Sequence, residues 1–305
     1  MKKFMKVCAI AALICIVVGL ILGVTGWQIR DTSSVSLGEA LSAVTGGRIG
    51  SSDVHYELDD NIKFNEDYAI REGSVEKYAL GDRNQGIREL AINVGACQMT
   101  IAESEDDSFW VEAVGMRRFQ GYVDGGMLEI SGTSKAFSNS ENWAGSITLY
   151  VPEGYTWEAA NLELGAGRLT VETLQTGTIS ANVDAGQMIF EQFTADEADL
   201  ECGMGQLIVH ELNSRSVDAN VSMGDLQLTG DVTESITGEC GMGSLTLQIA
   251  GSQSDFNYDL ECGMGELRIG DDTYSGLANE KQINNNAAKT MDLKCSMGSV
   301  TVEFK

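Results

Sequence analysis

Proline, histidine and positive charge are all scarce in this 305-residue sequence. Pro152 is the only proline, which suits β-ladders in which nearly every backbone N–H must find an acceptor. The two histidines, His55 and His210, have no serine, cysteine or aspartate beside them in a triad-like arrangement, so no catalytic residues are assigned. Lys and Arg total 20 against 45 Asp and Glu, a formal charge of −25. A surface of that sign repels nucleic acid, which is set aside as a partner, keeps a domain soluble, and attracts cations or cationic peptides. The GMG phrases lack the lysine and helix of a phosphate loop, and no EF-hand or Gly-Gly-x-Gly-x-Asp loop occurs. No cofactor is expected.

Hydrophobicity is concentrated at the start. Val7 to Gly26 form an uncharged apolar run of 20 residues, and at about 1.5 Å per residue a helix of that length spans roughly 30 Å of hydrocarbon. Lys2, Lys3 and Lys6 precede it, while Trp27, Arg30 and Asp31 follow. The positive-inside bias then places residues 1–6 in the cytoplasm and everything after the span outside. No small-x-small cleavage site follows the run, which favours a retained signal-anchor over a cleaved signal. Residues 27–87 read as linker and N-terminal cap, with a short helix over Ser36–Val44 whose SLGEALSAV carries a serine cap and an acidic residue three on.

From residue 88 to 305 the sequence repeats itself. LELGAGRLTV, ANVDAGQMIF, LECGMGQLIV, ANVSMGDLQL, GECGMGSLTL, LECGMGELRI and LKCSMGSVTV align on Gly167, Gly186, Gly205, Gly224, Gly243, Gly265 and Gly298, with spacings of 19, 19, 19, 19, 22 and 33. Gly126 and Gly145 extend the series upstream, and INVGACQMTI places Cys97 in the glycine slot. Counting from this key glycine, positions −5, −3, +2 and +4 are apolar or small and the alternate positions mostly polar, so two period-2 strands meet with a change of parity at the glycine. Gly or Ser at −2 is expected to supply backbone freedom for the bend, and turn formers such as TGDVTES after Leu228 to return the chain to the next layer.

A 19-residue unit cannot bury its apolar face alone, so units must stack and share a core. The expected fold is all-β: a right-handed parallel β-solenoid, or β-helix, of about 19-residue coils preceded by one N-terminal transmembrane helix. Nine or ten coils at about 4.8 Å give a rod of roughly 45 Å. The segment DDTYSGLANEKQINNNAAKT between Gly265 and Gly298 is expected to leave the coil as a polar insertion shielding a side or an end.

Two columns imitate chemical sites. Cys202, Cys240, Cys262 and Cys295 share slot −3, elsewhere held by Leu164, Val183 and Val221, so they are expected to be small core side chains. A column does not converge its sulfurs as zinc requires. Neighbouring coils would permit a disulfide, Cys240 with Cys262 or Cys262 with Cys295, although five cysteines beyond the anchor, Cys97 included, cannot all pair. Met204, Met223, Met242, Met264 and Met297 share slot −1, where Ala96, Ala166 and Ala185 occur earlier. A methionine column suggests copper, but the Ala/Met exchange predicts a corner pocket filled by a flexible side chain. No metal site is assigned. Glu103, Glu105, Asp106 and Asp107, and Asp271 with Asp272, are expected in solvated turns.

SITLYVPEGY (Ser146 to Tyr155), the LELGAGRLTVETL that follows soon after it, the serial GxG-x-L-x-V phrases, and DFNYDLECGMGELRIG with YSGLANEK resemble the DUF4097 family of adhesin-type bacterial proteins. The resemblance implies a β-helix-like domain on membrane-associated proteins of Gram-positive bacteria, sometimes linked with envelope stress, and carries over no catalytic residues. The expected function is therefore non-enzymatic: a single-span cell-membrane protein presenting an acidic solenoid to an envelope protein, a wall component or a cationic peptide. The alternatives are an accessory sensor of envelope stress and a carbohydrate-active β-helix enzyme, the latter by fold analogy alone.

Overall fold

The computed structural model describes residues 62–134, 145–275 and 279–305. The apolar run 7–26, the helix expected over 36–44 and His55 lie outside these residues. Among the described residues no helix is long and apolar enough to cross a membrane.

The described chain is all-β. Its strands are β1 (Arg71–Asp82), β2 (Glu89–Val94), β3 (Gln98–Ser104), β4 (Ser108–Asp124), β5 (Met127–Ser134), β6 (Ser146–Pro152), β7 (Thr156–Leu164), β8 (Arg168–Val183) and β9 (Gln187–Cys202). Then follow β10 (Gln206–Val221), β11 (Asp225–Cys240), β12 (Ser244–Ile249), β13 (Phe256–Cys262), β14 (Glu266–Ile269), β15 (Asp272–Ser275), β16 (Asn279–Ile283), β17 (Lys289–Cys295) and β18 (Ser299–Phe304).

Strands β7 to β12 pair in parallel with an offset of 19 residues: Leu207 faces Leu226, which faces Leu245, and Leu169 leads to Met188 and Leu207. Equivalent copies of the phrase therefore occupy successive layers. Within one coil the inward residues come in three short runs, in β10 Leu207 and Val209, then Leu212 and Ser214, then Val217, Ala219 and Val221. Pairs of outward residues, His210–Glu211 and Arg215–Ser216, separate the runs. The segment after Leu228, expected as a returning turn, thus continues the ladder, with Asp231 beside Asn213 and Val232 beside Ser214. Polar residues are tolerated there because only Val232 of that stretch must face the core, where it is fully buried.

Stacking explains the key glycine, but not through backbone freedom. None of the key glycines adopts a positive φ, and nor do the −2 residues. A Cβ on Gly205 would instead lie 2.3 Å from the carbonyl oxygen of Gly186, and one on Gly224 2.4 Å from that of Gly205. Corner backbones lie against one another, and a side chain has no room between them.

Layer order departs from chain order at both ends. β17 lies between β11 and β13 and β18 between β12 and β14, so the Gly298 phrase fills a layer between those of Gly243 and Gly265. Cys240 consequently neighbours Cys295, and Cys262 is one layer further on. At the other end β2 lies between β5 and β7, and β3 between β6 and β8. Gly145 there occupies the slot of Cys97 and Gly167, as its neighbour Ser146 pairs with Gln98 and Gln98 with Arg168. Gly126 does not belong to the series: Met127 pairs with Glu89, so DGGMLEI enters the layer's first strand through a hairpin turn with Gly125 and Gly126 at φ 58° and 92°.

Both ends are closed by antiparallel strands. β4 covers β5 and β6, and β1 covers β4. At the far end β15 pairs with β14 and β16 with β13, so the polar insertion shields the last layer. Covered edges remove the unpaired N–H and C=O rows that would template aggregation. Near the first end the core is aromatic, with Phe109, Tyr155 and Trp157 in mutual edge or tilted contact at 4.8–5.5 Å. Fully buried Gln120 ties down the entering segment, accepting from Asn65 N at 2.9 Å and donating to the carbonyls of Asn65 and Tyr68 at 2.7 and 2.9 Å.

Candidate functional site

Because side chains alternate along a strand, each outward slot of the stack becomes a row running from layer to layer. On the stretch before the corner, one such row reads Asp199, Asp218, Thr237, Asp292 and Asp259. The row beside it reads Glu201, Asn220, Glu239, Lys294 and Glu261, and β16 adds Glu280 opposite Glu261. An open groove of about 580 Å³ runs over this face, lined among others by Asn220, Glu239, Glu261, Glu280, Lys294 and Ser296.

The electrostatics follow from stacking like charges about 4.8 Å apart. Partial burial, and then the carboxylate of Asp199, push the Asp218 carboxyl above its ordinary range. Lys294 is the lone cation in the two rows; Asp292 and then Glu239, whose Oε1 lies 3.5 Å from its Nζ, raise its pKa. Asp292 Oδ1 is buried without a hydrogen-bond partner. The face therefore combines strong negative potential with an acceptor that its own fold leaves unpaired. Sequence reading missed this surface, although Asp or Glu at −4 and −6 of several phrases marks it.

The residues singled out from the sequence divide differently. Cys97, Cys202, Cys240, Cys262 and Cys295 are buried free thiols. Cys202, Cys262 and Cys295 donate to the carbonyl of their own key glycine at 3.2–3.4 Å. Burial pushes the Cys97 thiol up to about 12 and that of Cys295 to about 11, which favours the protonated thiol over the nucleophilic thiolate.

The methionines overturn their expected place. Met204, Met223, Met242, Met264 and Met297 are 52–67% exposed rather than packed in a corner pocket. Their slot lies between the −2 residue and the key glycine, at the bend where parity changes, so the side chain is turned outward.

His210 is exposed. Asp106 accepts from Trp110 Nε1 and Ser108 N at 2.9 Å, and Asp107 pairs with Arg83 at 3.0 Å, which makes the Glu103–Asp107 cluster a hydrogen-bonded turn. Asp272 accepts from Gln253 at 3.0 Å. Among the described residues no group of three or more His, Cys, Asp or Glu side chains is arranged to hold a metal ion.

The Toastrack DUF4097 family profile matches residues 87–303. None of the curated proteins matches the sequence. Solved structures similar to this chain include a candidate adhesin from Bacteroides fragilis, 14% identical, covering 78% of this chain and 98% of its own, with a TM-score of 0.39. A second candidate adhesin, from Parabacteroides merdae, is 13% identical over 80% and 98% of the two chains at 0.38. A candidate lipid-binding protein from Parabacteroides distasonis is 14% identical over 78% and 98% at 0.37. At these scores the likenesses carry no inference about function.

Proposed function

Because this chain belongs to the Toastrack DUF4097 family, we propose that it is a non-enzymatic protein of the bacterial cell envelope whose acidic stack of strands binds a cationic partner. In this reading residues 1–6 are cytoplasmic, 7–26 form the membrane anchor, 27–87 link and cap, and 88–305 form a right-handed parallel β-solenoid held outside the membrane. The acidic double row is the observation that supports it: seven carboxylates from Asp199 to Glu261 stand in two adjoining rows with a single lysine among them, and Glu239 and Glu261 of these, with Glu280, line the groove. Such a field steers cationic ligands and weakens as salt screens it. The partner's chemistry is that of an exposed Lys- or Arg-rich segment of an envelope protein or peptide, or a cationic wall component.

Crosslinking in intact cells tests this with the full-length chain and a variant carrying D199N, D218N, D259N and D292N. The expected result is an envelope partner captured by the parent and lost from the variant. Equal capture by both, or no partner in any growth condition, would overturn the reading. One observation favours a carbohydrate-active enzyme instead: Asp218, a carboxyl with a raised pKa, stands one layer from Asp199. Release of sugar from wall glycans by the parent, abolished in D218N, would establish that reading.

A further inference from the structure

The methionine column is the feature that neither packing nor the acidic face accounts for. In the stack its members run Met204, Met223, Met242, Met297 and Met264, one per layer without interruption. Each backbone N–H donates to the −2 carbonyl of the preceding layer, from Met204 to Asp184 at 2.7 Å through Met264 to Ser296 at 2.7 Å. The flanking −2 slot holds only Gly203, Ser222, Gly241, Ser296 and Gly263. Five thioethers thus form an outward row with little beside them to cover it.

An exposed methionine gains little from burial, so five in register call for another cause. A thioether cannot be protonated and is a poor ligand for hard cations, whereas soft ions of the Cu(I) class prefer it. Layer spacing suits such an ion. With metal–sulfur bonds on the order of 2.3 Å, as for zinc thiolates, a two-coordinate ion spans roughly 4.6 Å between sulfurs, against about 4.8 Å between layers. Long unbranched side chains can close the small difference and offer a third sulfur from the next layer. The strongly negative surface raises the local concentration of any cation. The cysteines of the same corner are buried inside the stack, whereas the methionine sulfurs lie on its exposed side.

The geometry points to this row as a binding site for soft monovalent metal ions, Cu(I) or its redox-stable analogue Ag(I), bridged between methionines of adjacent layers. The row borders the acidic groove, whose lining includes Ser222, Gly241, Gly263 and Ser296 of the −2 slot, but its ligands are the thioethers and not the carboxylates.

The test uses the full-length chain in detergent with 13C-labelled methionine methyl groups, titrated with silver nitrate in chloride-free buffer. Saturable shifts of the Met223, Met242 and Met297 methyl signals are expected, with Met127, exposed but outside the row, unmoved. Replacing the three central residues in M223L/M242L/M297L preserves the apolar stripe and removes the sulfurs. It should weaken Ag(I) binding by about tenfold or more, while M127L has no effect. Absence of shifts in the row overturns the proposal. So does equal movement of Met127, which would mean unspecific thioether binding. An undiminished response in the triple variant, as binding by the cysteines would give, also overturns it.

Discussion

The middle of the stack and its two ends solve one problem in different ways. From β7 to β11 each layer is laid on the previous one in chain order, the same slots recur every 19 residues, and mostly aliphatic side chains fill the core, with Phe190 and Phe193 of β9 among them. At the ends the chain doubles back, inserting β2–β3 and β17–β18 as the next-to-last layers and closing the edges with antiparallel strands. A layer in the middle is replaceable by its neighbour, because every copy meets the same surroundings. An end layer has only one neighbour of its own kind, so its stability comes from particular contacts: the Phe109–Tyr155–Trp157 cluster, the Gln120 ties, and the Asn285 amide donating to the carbonyl of Phe256 at 2.7 Å.

The sharpest way to break this comparison is to end the chain after Ser275. In a simple sequential stack that would shorten the rod by its last layer alone. Here it removes β17 and β18 from between two layers, leaving β13 and β14 without their parallel partners. Loss of hydrogen-exchange protection should reach into β11 and β12; protection there as in the full chain would refute the interleaved order.

A substitution at the key glycine comes next. A Cβ on Gly224 meets the Gly205 carbonyl oxygen at 2.4 Å and Cys202 Sγ at 2.6 Å, and the backbone cannot yield. Gly224→Ala should cost about 3 kcal/mol or more in denaturant titration. Gly145→Ala at the end layer, where a Cβ meets Ser134 Cβ at 2.8 Å and the Gly115 carbonyl oxygen and Met116 Sδ at 2.9 Å, should also destabilise but cost less, because its approach to backbone is 0.5 Å longer.

Filling the column is milder. Cys240→Val places in one layer what Val221 already is in the next, so the change in stability should stay below about 1.5 kcal/mol.

The smallest effects are electrostatic, and their signs oppose each other. Asp218 in the middle has a raised folded-state pKa, so its contribution is most favourable below the unfolded value of about 3.9 and declines as pH rises through the folded value. Asp218→Asn should therefore stabilise at pH 7, within roughly 1 kcal/mol, and the gain should vanish in acid. Asp106 near the first end has a lowered pKa, chiefly through the hydrogen bond from Trp110 and then that from Ser108 N. Its stabilisation is present above the unfolded value and is lost as pH falls through the folded one, so Asp106→Asn should destabilise slightly at neutral pH. Thermal melts of both variants across the acid range separate the two.

Much of the middle was legible from the residues. Leu207, Leu226 and Leu245 sit in one ladder because a period of 19 with a constant parity on either side of the glycine admits no other pairing. The cysteine column was readable as core because Leu164, Val183 and Val221 share its slot. The ends were less legible. DGGMLEI mimics a corner phrase, yet its glycines make a hairpin, since composition alone does not separate a glycine chosen for positive φ from one chosen for lack of a Cβ.

The sequence by itself determined the unit: its length, which side chains face inward, and the glycine at its corner, because these depend on local alternation and on repetition of one pattern. Only the tertiary structure decided the order of the terminal layers and the outward turn of the methionines. The layer order depends on which backbones lie next to each other across 30 or more residues of intervening chain, and the methionine turn on how each corner backbone lies against that of the preceding layer; alternation within one strand encodes neither.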